Sequence, residues 1–250
     1  MKVVILAGGL GSRLSEETHS IPKPLVKIGK IPILIHIMKI YSKSGFKDFI
    51  ICTGYKNFMI NNFFANKGSV AILKKEKNKM KFYDKKNKWN IDCIFTGRNT
   101  NTGGRILKLR NIIKENIFCV TYGDGLAKIN IKSLIRFHKK AKAIATLTAV
   151  KPPARFGVII FDKKKVKNFK EKIDNKNVWI NGGFFVFDKE IFKYIKNVNS
   201  SFEKDVLEDL VKKKKLNAYK LKNFWHPMDT LRDKIILNKL YKNYEAPWTE

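Results

Sequence analysis

The feature that most constrains this chain is a glycine-rich segment directly after an apolar N-terminal run. Val3 to Leu6 are all aliphatic, and Gly8, Gly9 and Gly11 follow at once. A buried strand that leads into such a turn lets the backbone approach a ligand closely, and its successive N–H groups can hold phosphate oxygens. The segment therefore predicts an anion-binding loop at the end of a first, central strand.

Two charged residues near this loop extend the prediction. Arg13 supplies a forked cation that suits a triphosphate, and Lys23 stands between Pro22 and Pro24, which we expect to hold it in an extended conformation. The spacing excludes a Walker motif and the G-x-G-x-x-G dinucleotide fingerprint. An ordinary tight turn and a solvated surface lysine are the alternative interpretations of these residues.

Strand-like and helix-like patterns alternate along the first 150 residues. The predicted strands are 3–6, 49–52, 91–95, 118–122 and 145–150, and the predicted helices are 33–41, 57–65, 106–113 and 131–140. This alternation predicts an α/β fold with a Rossmann-like, mostly parallel sheet flanked by helices. No interdomain linker interrupts the pattern, so we expect one domain over residues 1–250.

The remaining segments depart from that alternation. Residues 70–88 are rich in lysine and predict a β-hairpin that forms an insertion or exposed arm. Residues 158–169 predict a second hairpin, and residues 178–187 a further strand. Residues 203–242 predict two helices around a turn that contains Pro227.

The net charge of +31 suggests nucleic-acid binding as one class of function. Only seven of the 52 basic residues are arginine, the residue favoured for reading bases, and the lysines are scattered along the chain. We therefore expect no nucleic-acid partner. The charge favours anionic substrates in general.

The apolar runs and the cysteines indicate the cellular compartment of the protein. No run reaches the roughly 18 to 20 apolar residues of a membrane span, and the short N-terminal run leads into glycines and Arg13 rather than a cleavage site. Cys52, Cys93 and Cys119 each lie in an apolar run, which predicts buried, reduced thiols. We expect a cytoplasmic protein with no membrane partner.

Two carboxylates are candidates for a metal site. Asp124 follows the predicted strand 118–122, at the edge of the sheet where ligands bind in α/β folds. Asp229 lies far along the chain, and a turn-forming role for Asp124 or a helix N-cap role for Asp229 is the alternative. The four histidines have no metal-ligand spacing; His226, near Asp229, is a candidate substrate contact, whereas His36 and His138 fit packing or surface roles.

Together the motifs resemble the signature of the nucleoside-diphosphate-sugar pyrophosphorylases, a family of nucleotidyltransferases. The shared signature is a Leu-Ala-Gly-Gly-x-Gly-x-Arg-Leu loop, here Leu6 to Leu14, followed by a Pro-Lys-Pro. Further segments are similar to the subfamily that couples glucose 1-phosphate to CTP: 14–18, 102–105, 121–125, 152–157, 180–185, 225–230 and 246–248. The resemblance runs nearly end to end.

This resemblance implies a nucleotide-diphospho-sugar transferase fold and transfer of CMP from CTP to α-D-glucose 1-phosphate, giving CDP-glucose and pyrophosphate. Arg13, Lys23 and Asp124 are the implied catalytic residues, and Asp124 and Asp229 the implied Mg²⁺ ligands. The implied nucleotide-binding residues are Leu6, Ala7, Gly8, Gly9, Leu10, Gly11, Ser12, Arg13, Lys23, Thr100, Arg105 and Gly123. The implied sugar-phosphate residues, in a sugar-binding portion at 151–230, are Glu171, Lys172, Asn181 and Gly182.

Specificity and context follow from the same resemblance. Arg105 is the implied reader of cytosine, since a guanidinium supplies donors to the O2 and N3 acceptors of that base; the alternative is that Arg105 only begins a helix after a turn at Gly103 and Gly104. A homo-oligomer is implied, a hexamer in this subfamily, and so is a place in deoxysugar synthesis for lipopolysaccharide O-antigen. The open alternatives are UTP or dTTP, another sugar 1-phosphate, a basic nucleic-acid-binding protein, or an inactive relative. Intact Arg13, Lys23, Asp124 and Asp229 argue against inactivity.

Overall fold

A nine-stranded sheet forms the centre of the chain. The computed structural model describes residues 1–153, 158–162, 164–170 and 178–250. In these residues the strands are β1 (Val3–Ala7), β2 (Lys27–Ile28), β3 (Ile31–Pro32), β4 (Asp48–Thr53), β5 (Val70–Glu76), β6 (Lys79–Asp84), β7 (Trp89–Phe95), β8 (Ile117–Tyr122), β9 (Gly125–Ala127), β10 (Ala145–Val150), β11 (Val158–Asp162), β12 (Lys165–Lys170), β13 (Ile180–Asp188), β14 (Leu216–Leu221) and β15 (Trp225–Pro227).

Helices connect these strands and cover both faces of the sheet. The α-helices of the described residues are α1 (Ser15–Thr18), α2 (Ile33–Lys43), α3 (Asn57–Ala65), α4 (Thr102–Leu107), α5 (Ile131–Ala141), α6 (Glu208–Lys212) and α7 (Leu231–Lys242). Short 3₁₀ turns span Ser12–Leu14, Lys23–Leu25 and Lys189–Lys193, and a π-helix spans Phe202–Leu207.

The sheet is mixed but mostly parallel. Its order is β14-β10-β13-β8-β1-β4-β7-β6-β5. Strands β8, β1, β4 and β7 pair in parallel, as do β10 and β14, whereas β13 and β6 run antiparallel to their neighbours. Of the nine strands, only these two oppose the other seven, which confirms the predicted α/β fold with helices on a mostly parallel sheet.

The side chains of each central strand point alternately to the two faces of the sheet, and a hydrophobic core lies on each face. Val3 and Ile5 of β1 pack into one cluster with buried residues of α2, α5 and α7. Val4 packs into the other cluster with Ile106 of α4 and Leu210 of α6. Because successive side chains of a strand point to opposite faces, an all-apolar strand such as β1 must be covered on both sides. The sequence pattern of β1 is thus explained by its central place.

The predicted hairpin at 70–88 forms, but it is continuous with the central sheet. Strand β6 pairs with both β5 and β7, so the hairpin extends the sheet edge. The second predicted hairpin also forms, as β11 paired with β12. The prediction for 203–242 was wrong in its middle: β14 and β15 lie between the helices, and Pro227 ends β15 rather than forming a turn.

The predicted helix at 106–113 was also misplaced. Helix α4 begins at Thr102 and takes in Gly103 and Gly104, which sequence alone places in a turn. A Cβ added to Gly104 would lie 1.9 Å from the carbonyl oxygen of Val198, and one on Gly103 would lie 2.7 Å from that of Ser200. The two glycines are in the helix because another segment packs directly against its backbone.

Two predictions about composition can be compared with the structure. Cys52, Cys93 and Cys119 are buried and free, as expected, and burial raises the pKa of each thiol, to about 12 for Cys52. Such thiols stay protonated at neutral pH and are poor nucleophiles. Within the described residues, no helix combines the length and apolar character needed to cross a bilayer.

Candidate active site

A pocket of about 620 Å³ opens at the carboxyl ends of β1 and β8. These strands are neighbours, and the chain leaves β1 toward β4 on one side and returns to β8 on the other. In open α/β sheets this arrangement creates a crevice at the strand ends, where ligands bind. The glycine-rich loop after β1 and Gly123-Asp124 after β8 therefore face each other across the pocket.

Four charged side chains form one cluster at the pocket. The ammonium of Lys23 lies 2.7 Å from Oδ2 of Asp124 and 2.7 Å from Oδ1 of Asp229. The other oxygen of Asp229 accepts a 2.7 Å bond from Nη1 of Arg13. Lys23 is 11% exposed in its side chain whereas Arg13 is 73% exposed, so Lys23 is the buried centre and Arg13 the outer cation.

The pKa of Lys23 reflects this surrounding. Burial alone disfavours the ammonium, but the charges and hydrogen bonds of Asp124 and Asp229 outweigh it and raise the pKa above the ordinary 10.5. Lys23 is therefore a fixed positive charge at neutral pH. It is suited to binding a phosphate rather than to acting as a general base.

A short β-ladder brings the two carboxylates together. Strand β9 follows Asp124 and pairs antiparallel with β15, which precedes Asp229, with Gly125 opposite Pro227. The N–H of Met228 also donates to the carbonyl of Asp124 at 2.8 Å. This pairing joins residues far apart in sequence, and a single sequence carries no direct signal of it.

Two details of the sequence predictions were wrong here. Lys23 is not extended: it begins the 3₁₀ turn Lys23–Leu25, in which the N–H of Val26 donates to the Lys23 carbonyl. The N-cap of α7 is Thr230, whose hydroxyl accepts from the N–H of Asp233 in a capping box. Asp229 thus stands just outside the helix and contacts the cations.

The glycine-rich loop is shaped by its neighbours. Gly11 has a φ of +72° and starts the 3₁₀ turn that presents Arg13. A Cβ on Gly8 would lie 2.1 Å from Nη1 of Arg105, so a side chain there would displace the guanidinium from its hydrogen bonds. The first glycine is required by a tightly packed wall, and the third by its backbone conformation.

Arg105 forms that wall. Its Nη1 donates to the carbonyls of Thr53 and Gly97 and to the hydroxyl of Thr96, and its Nη2 donates to the carbonyl of Gly8. The guanidinium therefore fixes the glycine-rich loop against the turns after β4 and β7. Its predicted contact with cytosine stays a prediction.

Most of the predicted site residues line the pocket. These are Leu6, Ala7, Gly8, Gly9, Gly11, Ser12, Arg13, Lys23, Thr100, Arg105, Gly123, Asp124 and Asn181. Three predicted residues are not among the described lining residues: Leu10, which is 54% exposed, Gly182 and Asp229, although Asp229 contacts Arg13 and Lys23. Glu171 and Lys172 lie outside the described residues.

Sequence reasoning missed several residues of the pocket wall. Asn101 and Thr102 stand at the start of α4, Tyr122 ends β8, and Glu203 lies in the π-helix. Tyr122 and Thr102 could have been suspected because they belong to the glycine-containing segments 121–125 and 102–105. Glu203 has no local signal, since only the packing of its helix against α4 brings it to the pocket.

The histidines lie away from this chemistry. His36 is buried, and the hydrogen bonds of its ring nitrogens are to other buried residues. Burial lowers its pKa to about 4. His138 is buried beside Thr146. His226, a candidate substrate contact, bonds the carbonyl of Pro227 and is not among the described pocket residues.

The site fits a small, hard cation. Asp124 and Asp229 each place an oxygen 2.7 Å from the same nitrogen, so two carboxylates converge on one point. Mg²⁺ typically takes one or two protein carboxylates and completes its shell with phosphate oxygens and water. No group of three or more His, Cys, Asp or Glu side chains converges in the described residues.

Comparison with known proteins agrees with this geometry. Residues 2–239 match the family described as nucleotidyl transferase. The chain belongs to that family. It is 45% identical to the glucose-1-phosphate cytidylyltransferase of Salmonella typhi over 99% of this chain and 98% of that protein. It is 38% identical to the probable glucose-1-phosphate cytidylyltransferase of Bacillus subtilis over 99% of each chain.

Solved structures share the fold of this nucleotidyltransferase. A putative glucose-1-phosphate thymidylyltransferase from Bacillus anthracis matches with a TM-score of 0.73 at 21% identity, over 97% of this chain and 96% of that one. A UDP-glucose pyrophosphorylase in complex with UDP-glucose matches with a TM-score of 0.69 at 18% identity, over 97% and 98%. At these identities the likeness establishes the fold, and the sequence relatives establish the family.

Proposed function

We propose that this nucleotidyltransferase transfers CMP from CTP to α-D-glucose 1-phosphate, giving CDP-glucose and pyrophosphate. The observation that carries the proposal is the 45% identity, over nearly the whole of both chains, to a glucose-1-phosphate cytidylyltransferase. The cluster of Arg13, Lys23, Asp124 and Asp229 supplies the charges that this reaction needs.

The chemistry requires charge neutralisation and alignment. A phosphate oxygen of the sugar phosphate forms a bond to the α-phosphorus of CTP, the bond from that phosphorus to the bridging oxygen breaks, and pyrophosphate leaves. The second pKa of a phosphate monoester is about 6, so the nucleophile is already largely a dianion at neutral pH and no general base is needed. That agrees with a pocket whose described lining contains no histidine.

During this reaction, we expect phosphate groups of the substrates to replace the carboxylates as partners of the protein's cations. Without substrate, Lys23 and Arg13 are neutralised by Asp124 and Asp229. We expect the buried Lys23 to hold the α-phosphate or the sugar phosphate, and the exposed Arg13 to stabilise the leaving pyrophosphate. The N–H groups of the loop provide further donors to the phosphates.

Mg²⁺ is the cofactor that we propose for the two carboxylates. Bound by Asp124 and Asp229, it would neutralise charge on the phosphates and orient their oxygens. The carboxylates would then exchange the ammonium of Lys23 for the cation, leaving Lys23 to the substrate. A cytoplasmic location and a homo-oligomer, with CDP-glucose passing to deoxysugar synthesis, belong to the same proposal.

Pyrophosphate release tests the assignment. Purified protein with Mg²⁺ and α-D-glucose 1-phosphate is given CTP, UTP, dTTP, ATP or GTP in turn. Release with CTP at least tenfold faster than with any other nucleotide is the expected result. Equal or faster release with UTP or dTTP would keep the chemistry and refute the choice of cytidine. No release with any nucleotide would refute the proposed reaction and would favour another sugar 1-phosphate or an inactive relative.

A further inference from the structure

An acidic side chain lies in the wall of the pocket without a role in the reaction described above. Glu203 is the second residue of the π-helix Phe202–Leu207 and lines the pocket. Ser201 caps this helix by accepting from the N–H of Lys204. π-Helical turns are rare and occur frequently at functional sites. The π-helix therefore makes Glu203 a candidate functional residue of the pocket wall.

The carboxylate of Glu203 joins two walls of the pocket. Its Oε1 accepts from the hydroxyl of Tyr122, the last residue of β8. Its Oε2 accepts from the hydroxyl of Thr102, the first residue of α4, at 2.7 Å. The Thr102 hydroxyl in turn accepts from the N–H of Phe202 at 3.0 Å. One carboxylate thus connects the end of a central strand to the start of the helix that carries Arg105.

The hydroxyl of Tyr122, which is bonded to Glu203, also hydrogen-bonds to Asn181. The hydroxyl proton of Tyr122 is committed to Glu203, so its oxygen accepts from Nδ2 of Asn181 at 3.2 Å. Oδ1 of Asn181 accepts from the N–H of Gly183 at 2.9 Å, which fixes the orientation of the amide. Burial, with the charge of Glu203, raises the pKa of Tyr122 well above its ordinary value, so the phenol remains a donor across the neutral range.

The sign of the charge indicates which part of the substrate this wall faces. A carboxylate repels phosphates, yet Glu203 lines the same pocket as Arg13, Lys23 and the glycine-rich loop. The wall built from Glu203, Tyr122 and Asn181 is therefore suited to uncharged, hydroxyl-bearing groups. Asn181 retains one N–H and one lone pair for them, since each amide has two of each.

We infer that Glu203 is a positioning residue that holds Tyr122 and thereby orients the Asn181 amide toward the hydroxyl groups of the sugar phosphate. Through Thr102 it also ties this sugar-facing wall to the wall that carries Arg105. The inference rests on the proposed function for the identity of the substrate. The contacts within the wall are independent of that identity.

Tyr122→Phe is the first kinetic test. The variant keeps the ring that packs against Phe185 and removes only the hydroxyl. We expect the KM for glucose 1-phosphate to rise on the order of tenfold, as for loss of a well-placed hydrogen bond, with the KM for CTP within about twofold of wild type. An unchanged KM for the sugar phosphate, or an equal rise in both constants, would overturn the inference. Tyr219→Phe, a half-buried tyrosine on β14, is the matched control.

Two substitutions of Glu203 separate positioning from bulk structure. Glu203→Gln keeps an acceptor for Tyr122 and is expected to hold the KM for glucose 1-phosphate within about threefold of wild type. Glu203→Ala removes the acceptor and is expected to match Tyr122→Phe. An alanine variant with wild-type KM for the sugar phosphate contradicts the role. Glu208→Ala, on the following helix, is the matched control.

A stability cycle tests the contact without any substrate. Tyr122→Phe, Glu203→Ala and the double variant are unfolded thermally, and the double variant should lose clearly less Tm than the sum of the two single changes. Additive losses would show that the two side chains do not interact and would overturn the inference. Wild-type protein that releases no pyrophosphate from CTP and glucose 1-phosphate would refute the proposed function alone, because this cycle still decides the contact.

Discussion

At the scale of single residues, Lys23 is the centre of the site. It is buried between Asp124 and Asp229, and its position is fixed by the 3₁₀ turn after Pro22. The same two carboxylates that neutralise it in the free protein are those suited to Mg²⁺. The cluster pairs two cations with two carboxylates, so its formal charges cancel.

Replacement of this lysine is expected to remove most of the activity. Lys23→Met keeps the length of the side chain and deletes its charge, and we expect kcat to fall on the order of 10² to 10³-fold, as for loss of one preorganised charge at a reacting phosphate. Steady-state pyrophosphate release measures it. The control is Lys27→Met, which replaces an exposed lysine nearby and should retain wild-type kcat. A kcat for Lys23→Met within threefold of wild type would remove Lys23 from the mechanism.

The same ion pairs predict a pH dependence of stability. The pKa of Lys23 in the folded protein lies above its ordinary 10.5, so its contribution to stability is complete below pH 10.5 and is lost as pH rises through the raised value. The Tm difference between wild type and Lys23→Met should be constant from neutral pH to about 10.5 and then shrink. Differential scanning calorimetry across this range measures it, and a difference that grows above pH 10.5 would contradict the assignment.

At the scale of elements, helix α4 shows how packing overrides propensity. Gly103 and Gly104 weaken a helix by their flexibility, and the sequence places them in a turn. They lie in the helix because the backbone at Val198 and Ser200 presses against it. This contact brings the π-helix segment, and with it Glu203, to the pocket.

Gly104→Ala is therefore expected to destabilise the protein. In an ordinary helix the change would stabilise by about 1 kcal/mol, because alanine is the better helix former. Here the added Cβ would lie 1.9 Å from the Val198 carbonyl, and we expect a loss of about 1 to 3 kcal/mol from overpacking. Urea denaturation measures the free energy of unfolding. Gly68→Ala, where an added Cβ meets no heavy atom within 4 Å, is the control; a stabilised Gly104→Ala would refute the packing argument.

At the scale of the whole molecule, the order of the strands creates the site. Strands β1 and β8 start 114 residues apart in sequence, at Val3 and Ile117, yet they are neighbours in the sheet. Their loops thus meet across one pocket. The ladder of β9 with β15 then adds Asp229 from near the C-terminus.

Ligand-dependent stability tests this assembled site. CTP with Mg²⁺ at about 100 times its Kd should stabilise the folded protein by ~2.7 kcal/mol, which is several degrees in Tm for a chain of this size. EDTA should remove most of that shift, and Asp124→Asn should nearly abolish it. Asp209→Asn, which alters a half-buried carboxylate paired with Lys213 away from the pocket, should keep the full shift. A shift that survives both EDTA and Asp124→Asn would exclude the proposed metal site.

Local sequence patterns were sufficient to predict most of the helices and strands. The all-apolar run at Val3 to Leu6 and the helical stripe of α2 carry their own periodicity, so their structures were predicted within two residues. The stretch from Leu216 to Pro227 has no such pattern and was mistaken for helix and turn. Strand β14 forms because β10 offers it a parallel edge, which is a property of the sheet.

The sequence by itself determined the α/β fold, the glycine-rich loop with Arg13 and Lys23, and the carboxylate at the end of β8, because strand periodicity, glycine spacing and charge are local. Only the tertiary structure decided that Lys23 contacts both Asp124 and Asp229, that Arg105 holds the loop of Gly8, and that Glu203 reaches the pocket. Each of these depends on strand order and on backbone contacts between distant segments. Such contacts arise from the packing of the whole chain, and no window of neighbouring residues encodes them.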